Sequence, residues 1–171
     1  MVAILETPRL ALREMTIADL DFVAAMLGDP EVMRFYPRRL ARDEAEGWIR
    51  RQVHRYRRDG HGLWLVLDRE TGEPRGQVGL VNQEVDGVAE PEVGYLIHRP
   101  FWRQGLAAEA ASATRDHAFG VLGRPRVVSL IRPENLPSRA VARRLGMTVE
   151  KECLHWGAPH LVYSVRAPGS R

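Results

Sequence analysis

The 171-residue sequence contains a single cysteine, Cys153. One cysteine excludes an internal disulfide and a zinc site built from thiolates, and it favours a reducing compartment. His155 and His160 flank a predicted hairpin turn, but no third ligand accompanies them. We therefore expect no metal, and we predict that Cys153 is a strand residue without a nucleophilic role.

Long apolar runs are also missing from the sequence. A membrane helix needs about 20 apolar residues in succession, so no membrane span is expected. The opening MVAILETPRL does not follow the basic-then-apolar order of a secretory signal, because Glu6 and Pro8 interrupt it. These absences predict a cytoplasmic protein with no membrane partner.

The net charge is only +3, and the basic residues cluster within helical patterns. The run RRQVHRYRRDG, residues 50–60, is typical of a solvated helix face. No aromatic interleaving and no groove-reading motif accompanies it. We therefore expect no nucleic-acid partner.

The predicted order of elements is one strand, a group of helices, three strands, a helix, a strand, a helix and two strands. That order includes a short helix over DPEVMRFYP, with Asp29 as its N-cap and Pro30 in its first turn. The strand EVGYLIH, the helix after it and the strand RVVSLI imply one parallel pair with a right-handed crossover. The length fits one domain over residues 1–171. The predicted fold class is α/β (α+β), with a mostly antiparallel mixed sheet of about seven strands.

The stretch FWRQGLAAEA, residues 101–110, joins the first strand of the parallel pair to its helix. A helix N-terminus carries unpaired N–H groups and positive potential, which suits an anion such as phosphate. Gly105 permits a tight turn and a close approach by a ligand. A plain turn before a helix with small packing residues explains the stretch equally well. There is no P-loop lysine, and a dinucleotide fingerprint needs further glycines, so the residues alone leave the anion unidentified.

A second helix begins after the strand RVVSLI, where Asn135 and Ser138 lie three residues apart and share a helix face. In open α/β sheets, ligands bind beyond the carboxyl ends of such strands, so both helix N-termini are expected to face one crevice. Asn135 is equally well explained as an N-cap, and Ser138 as a surface serine in the first turn.

Several segments together resemble the GNAT-superfamily N-acetyltransferases. In chain order they are TPRLALREMTIADLDFVAAMLGDPEVMRFY, HGLWLVLDRETGEPRGQVGL, EVGYLIHRPFWRQGLAAEAASATRDHAF and NLPSRAVARRLGM. The match covers nearly the whole chain and points to the branch that includes the ribosomal-protein N-terminal acetyltransferases. The resemblance implies the GNAT fold, with helices on both faces of the sheet and a splayed central parallel pair.

The resemblance also implies acetyl-CoA as co-substrate and assigns residues to it by position. The backbone of Leu96 and Ile97 is expected to pair with the pantetheine arm, and Asn135 to bond to that arm. In the family's pyrophosphate loop Gly105 fits the pattern, whereas Trp102 stands where many members have a polar residue. The backbone N–H groups expected to bind the pyrophosphate are those of Arg103, Gln104, Gly105, Leu106, Ala107 and Ala108.

Two side chains are expected to act in catalysis. Many GNAT enzymes have a tyrosine where Ala142 stands, whereas the branch that this chain resembles has a serine three residues after the asparagine. The resemblance therefore assigns Ser138 to the coenzyme sulfur as proton donor. Glu92 lies on the strand that borders the cofactor, on the same face as Gly94, and is the first choice as the base that deprotonates the amine. The alternative for Glu92 is an exposed carboxylate at a strand end. Weaker candidates for the base are Glu150, Glu152, His98 and His155.

The expected reaction is acetyl transfer to a primary amine by direct attack in a ternary complex. The resemblance favours a protein or peptide N-terminal amine as acceptor. A small amine, such as an amino acid, a polyamine or an antibiotic, stays an alternative, as does a non-catalytic acyl-CoA-binding module. The resemblance also leaves a homodimer open. Candidate walls of an acceptor pocket, each equally explained as core, are Met33, Phe35, Tyr36, Trp64, His155 and His160.

Overall fold

A computed structural model describes residues 2–170, which form eight strands and four helices. The strands are β1 (Leu5–Glu6), β2 (Leu10–Arg13), β3 (Leu63–Asp68), β4 (Pro74–Val85), β5 (Val88–Ile97), β6 (Arg126–Ile131), β7 (Thr148–His155) and β8 (Ala158–Arg166). The helices are α1 (Leu20–Gly28), α2 (Arg42–Asp59), α3 (Leu106–Gly120) and α4 (Leu136–Arg144). Within this part of the chain, no helix has the length and apolarity to cross a membrane.

The strands form one sheet in the order β1-β2-β3-β4-β5-β6-β8-β7. Between residues 2 and 170, β5 and β6 pair in parallel and the other neighbouring strands pair antiparallel. Helix α3 connects the two parallel strands, as the strand, helix, strand pattern predicts. The predicted fold class is confirmed. The sheet has eight strands instead of about seven because the two-residue strand β1 adds one edge.

Helices cover both faces of the sheet. Helices α1 and α2 enclose one core, into which β3 sends Leu63 and Leu65. Helices α3 and α4 cover the other face, where Trp64 and Val66 are buried. Because β3 is buried on both faces, its sequence is almost continuously apolar. Trp64 meets the ring of His117 edge-on at 5.8 Å, so Trp64 belongs to the core and not to an acceptor pocket.

The helix predicted over DPEVMRFYP is wrong, since residues 30–35 form a turn. Asp29 does cap that turn, because its carboxylate accepts N–H bonds from Glu31 at 2.8 Å and Val32 at 3.4 Å. The first turn of a helix is costly and is offset only as further residues add hydrogen bonds. Pro37 leaves no room for such residues. The turn instead buries Val32 and Met33 in the core under α1 and α2.

Candidate active site

A cavity of about 360 Å³ lies where β5 and β6 diverge. Helix α2, the turn at residues 30–35, the start of α4 and the β7–β8 hairpin supply its walls. Its polar lining residues are Tyr36, Trp48, Arg51, Arg55, Gln77, Gln83, Glu92, Tyr95, Ser129, Arg132, Asn135, Ser138, His155, Trp156 and His160. The cavity therefore gathers residues from both sides of the parallel pair.

Side chains of Glu92 and Ser129 connect the two parallel strands where backbone pairing ends. The register between β5 and β6 contains one pair, Glu92 with Val128. In a continuous parallel ladder, backbone N–H groups of one strand donate to backbone carbonyls of the other. Here the Ser129 hydroxyl donates to the Val93 carbonyl at 2.7 Å, and the Leu130 N–H donates to the Glu92 carboxylate at 3.2 Å. Side chains thus replace the ladder, and the strands separate beyond this point.

The separation leaves backbone groups of β5 facing the opening. The β4–β5 register is uninterrupted, so successive residues of β5 direct their backbone groups alternately to either side. The Val93 carbonyl bonds to β6, so the backbone N–H and C=O groups of Tyr95 and Ile97 face the opening. Leu96, expected from the sequence to offer its backbone to the pantetheine arm, directs its backbone groups to β4 instead and lines the cavity. The Ile97 carbonyl accepts the indole N–H of Trp102 at 2.7 Å, so Ile97 offers its own N–H.

The loop before α3 has the backbone shape of an anion-binding site. Gly105 is the N-cap of α3 with φ 77°, and Arg103 has φ 61°. Left-handed residues in such a loop turn neighbouring N–H groups toward one concavity. A Cβ at Gly105 would meet only Arg9, 3.6 Å away, whereas at Gly76 or Gly79 it would overlap backbone oxygens of adjacent segments. The glycines of β4 make room for their neighbours, but Gly105 faces open space.

Arg9, which precedes β2, lies across this loop. Its guanidinium donates to the Gln104 carbonyl at 2.9 Å and pairs with Glu109 at 2.6 Å. Thr7 donates its hydroxyl to the same carboxylate at 2.6 Å. The half-exposed guanidinium places positive charge beside the open side of Gly105. Our sequence analysis missed Arg9, because no spacing rule connects residue 9 with residue 105.

The start of α4 reaches the cavity from the side of β6. Asn135 Oδ1 accepts the Ser138 N–H at 3.2 Å, so Asn135 is an N-cap whose amide Nδ2 remains available. The Tyr95 hydroxyl donates to the Ser138 carbonyl at 2.7 Å and joins β5 to α4 across the opening. Asn135 and Ser138 both line the cavity, and Ser138 is partly buried instead of lying on the surface.

The Glu92 carboxyl is enclosed in the cavity wall. Gln83 Nε2 donates to it at 3.0 Å, in addition to the Leu130 N–H. Burial raises the pKa of Glu92, although these two hydrogen bonds and the charge of Arg55 act in the opposite direction. Burial and the charge of Glu92 raise the pKa of Tyr36 to about 12. A carboxyl with a raised pKa in a cavity is a common feature of catalytic bases.

Comparison with known proteins identifies the family. The acetyltransferase (GNAT) domain family matches residues 9–148, which include the loop before α3, the diverging strands and the start of α4. The chain belongs to the GNAT acetyltransferase family. This GNAT acetyltransferase is therefore an N-acetyltransferase, and its family uses acetyl-CoA.

The similarity to known relatives extends over nearly the whole chain of this GNAT acetyltransferase. YkkB of Bacillus subtilis is 33% identical over 93% of each chain. The crystal structure of an acetyltransferase from Agrobacterium tumefaciens matches with a TM-score of 0.83 at 32% identity, over 95% of this chain and 94% of that one. RimL, a ribosomal L7/L12 alpha-N-protein acetyltransferase in complex with coenzyme A, matches with a TM-score of 0.77 at 19% identity, over 96% and 98% of the two chains. The RimL likeness shows a shared fold.

Among the other candidate bases of this GNAT acetyltransferase, His155 lines the cavity. Burial and the nearby charge of His160 lower the pKa of His155. The remaining three candidates point elsewhere. Glu150 pairs with an arginine of β6 at 3.0 Å, Glu152 is exposed on β7, and His98 packs edge-on against an aromatic ring at 5.6 Å.

Aromatic rings form one end of the cavity. Tyr36 and Trp156 lie 5.6 Å apart between ring centres, and Trp156 lies 4.2 Å from His155. Of the predicted walls, those that line the cavity are Phe35, Tyr36, His155 and His160, whereas Met33 and Trp64 are core residues. Sequence reasoning missed three lining residues of α2, namely Trp48, Arg51 and Arg55. The two arginines were missed because the arginine-rich run resembles a solvated face. Across residues 2–170, no group of three or more His, Cys, Asp and Glu side chains could hold a metal.

Proposed function

We propose that this enzyme transfers the acetyl group of acetyl-CoA to a primary amine, first of all the N-terminal amine of a peptide or protein, by direct attack in a ternary complex. One observation carries the proposal. Glu92 and Ser138 line the same cavity at the point where β5 and β6 diverge, Glu92 from β5 and Ser138 from α4. A base for the amine and a donor for the leaving sulfur therefore share one space.

The groups around the opening fit coenzyme A. The N–H groups of residues 103–108 surround an open concavity beside Arg9, which suits the pyrophosphate. Tyr95 and Ile97 present backbone groups between the diverging strands, and Asn135 presents its amide nitrogen, so these three would bind the pantetheine arm. Acetyl-CoA, when bound, supplies a thioester carbonyl that a neutral amine attacks.

Glu92 takes the proton from the acceptor ammonium, directly or through water. Its raised pKa makes it a stronger base than an exposed carboxylate, which matches the requirement of general base catalysis. Gln83 and the Leu130 N–H hold the carboxylate in one orientation. Its negative charge also favours binding of the ammonium before the proton leaves.

Ser138 donates a hydrogen bond to the departing sulfur. It lies in the first turn of α4, where the helix dipole adds positive potential that stabilises a developing thiolate. Asn135 holds the Ser138 N–H and Tyr95 holds the Ser138 carbonyl, so two hydrogen bonds position this residue.

The acceptor is proposed as an N-terminal amine because RimL, which shares the fold, is an alpha-N-protein acetyltransferase. A small-molecule amine is a second candidate, and the cavity itself favours it. At about 360 Å³ the cavity falls within the range of small-molecule sites, and the rings of Tyr36 and Trp156 form part of its wall.

A panel of short peptides and small amines, read by thiol release and product mass, tests the proposal. We expect release of coenzyme A together with an acetylated primary amine, and the panel members that react separate the two acceptor classes. Acetyl-CoA that binds tightly without thiol release for any acceptor would instead favour a non-catalytic acyl-CoA-binding module.

A further inference from the structure

Two arginines of α2, Arg51 and Arg55, line the cavity, and neither has an ion-pair partner within residues 2–170. They lie one helical turn apart on the same helix. Most other acids and arginines of this helix do pair within this part of the chain, Asp43 and Arg57 excepted. Glu46 pairs with Arg50 at 2.6 Å, and Asp59 pairs with Arg58 at 2.7 Å.

The two guanidinium groups are held in place by neutral partners. Arg55 donates to the amide oxygen of Gln52 at 3.2 Å, and that buried oxygen also accepts the Leu63 N–H at 3.1 Å. Arg51 stacks over the ring of Trp48, with 5.3 Å between the guanidinium carbon and the ring centre. Neutral contacts orient both side chains, and neither guanidinium has an ion-pair partner among the described residues.

Holding two like charges one turn apart destabilises a helix unless an anion joins them. Burial lowers the pKa of Arg55, and the charges of Arg51 and Arg58 lower it further, whereas the charges of Asp59 and Glu92 act in the opposite direction. The third arginine of the lining, Arg132, is already paired with Glu134 at 2.8 Å. The charged groups of the cavity lining that have no ion-pair partner in the part of the chain that the structure describes are therefore Arg51, Arg55 and Glu92.

We propose that Arg51 and Arg55 bind a carboxylate of the acceptor, so that the enzyme prefers primary amines that carry a negative charge. This inference rests on the proposed function, because it assumes that the acceptor enters this cavity. Such an acceptor enters as an ammonium that carries one carboxylate. The ammonium then meets Glu92 on β5 and the carboxylate meets the two arginines on α2, so each end faces groups of opposite sign.

The carboxylate has two sources that share this chemistry. One is the free carboxylate of a small amino acid, and the other is an acidic side chain next to the N-terminus of a peptide. Guanidinium groups bind carboxylates of either origin through paired N–H donors. The experiment therefore needs acceptor pairs of both kinds.

Matched acceptors test the proposal through thiol-release kinetics. The small-molecule arm compares serine with serinamide, and the peptide arm compares Ser-Glu with Ser-Gln peptides that have amidated C-termini. Because a hydrogen bond to a charged group is worth about 1.5–3 kcal/mol, we expect kcat/KM to be at least about tenfold higher for the carboxylate member in one arm. The arm that shows the preference identifies the source of the carboxylate.

Three variants assign the preference to the arginines. Arg51→Gln and Arg55→Gln should each reduce it through a higher KM for the carboxylate acceptor, and Arg55→Lys should keep part of it. The control is Arg57→Gln, an exposed arginine of the same helix that does not line the cavity, and it should keep the full preference. The coenzyme A affinity of all four variants should equal that of the wild type.

Several results would overturn the proposal. Equal kcat/KM for the acid and amide members in both arms would refute it while leaving acetyl transfer intact. Weaker coenzyme A binding by Arg51→Gln or Arg55→Gln, with the acceptor preference unchanged, would assign the arginines to the cofactor. If acetyl-CoA binds but no acceptor reacts, the acid and amide acceptors are titrated into the coenzyme A complex by calorimetry. Equal affinity for the acid and amide members of a pair in both arms then contradicts the proposal. Absence of acetyl-CoA binding would instead refute the proposed function.

Discussion

Substitution of Gly105 by alanine separates the two functions that a glycine in this loop can have. The residue has φ 77°, a conformation that costs an L-residue roughly 1–2 kcal/mol. A new Cβ would contact nothing within 4 Å except Arg9 at 3.6 Å, so packing adds no clash. The free-energy cost of alanine at this position therefore comes from the backbone conformation. Either the loop keeps its shape and the folded protein is less stable, or the loop changes its shape to avoid the cost.

Both outcomes can be measured against Gly123→Ala. Gly123 has φ 62° and open space around it, and it lies beyond the other end of α3, so it carries the same backbone cost away from the site. For a chain of this length, a cost of roughly 1–2 kcal/mol corresponds to a Tm lower by about 2–8 °C. If the loop at Gly105 relaxes to avoid the cost, coenzyme A must restore its shape, which weakens binding by a factor of about 5–30.

We expect Gly123→Ala to lower only the Tm and Gly105→Ala to weaken coenzyme A binding. Calorimetry measures the Kd for coenzyme A and thermal melts measure the Tm of both variants. If the loop does not relax, the added methyl group occupies the open side where the pyrophosphate is expected, which weakens binding as well. Gly105→Ala with wild-type affinity and the same Tm loss as Gly123→Ala would refute the assignment of this loop to the pyrophosphate.

Three further substitutions test the parts of the cavity. Ser138→Ala should lower kcat by roughly 10²-fold or more while the Kd for coenzyme A stays close to that of the wild type, and the reverse pattern in the same two assays would contradict the role of this hydroxyl. Glu92→Gln should remove the rise of kcat/KM with pH that passes through the raised pKa of Glu92, and an unchanged pH profile would exclude Glu92 as the base. Folding raises the pKa of Glu92, so the protonated carboxyl stabilises the folded protein fully at pH values below the pKa of the unfolded chain. This stabilisation is lost as the pH rises through the pKa of the folded protein. The Tm of the wild type relative to that of Glu92→Gln should therefore fall over this pH range. Ser129→Ala leaves the Val93 carbonyl without its donor and should destabilise the protein by about 1–3 kcal/mol in denaturant unfolding, whereas an unchanged stability would show that Ser129 does not hold the strands at their point of divergence.

Local patterns in the sequence were sufficient for most elements of the fold. The crossover from β5 through α3 to β6 follows from a strand, helix, strand order, and Gly105 and Asn135 follow from the rules for helix starts. The segment after Asp29 shows where local rules fail. Its capping residue is present, but burial of Val32 and Met33 and the nearby Pro37 favour a single turn over a helix.

The residues that sequence reasoning missed act through tertiary contacts. Arg9 reaches the loop before α3 from the beginning of the chain, and Tyr95 joins β5 to α4, so neither has a local signature. Arg51 and Arg55 belong to a run that resembles a solvated helix face, and Arg51 and Arg57 in that run are exposed as expected, whereas Arg55 is partly buried. Only the packing of α2 over the diverging strands shows which arginines enter the cavity.

A crystal structure of the protein with coenzyme A tests the proposed site most directly. We predict the pyrophosphate on the N–H groups of residues 103–108, beside Arg9, with the pantetheine arm between Tyr95 and Ile97 on one side and Asn135 on the other. The sulfur should lie within hydrogen-bond distance of the Ser138 hydroxyl and open toward Glu92. Coenzyme A bound outside the space between β5 and β6, or with its sulfur away from Ser138, would contradict the proposed mechanism.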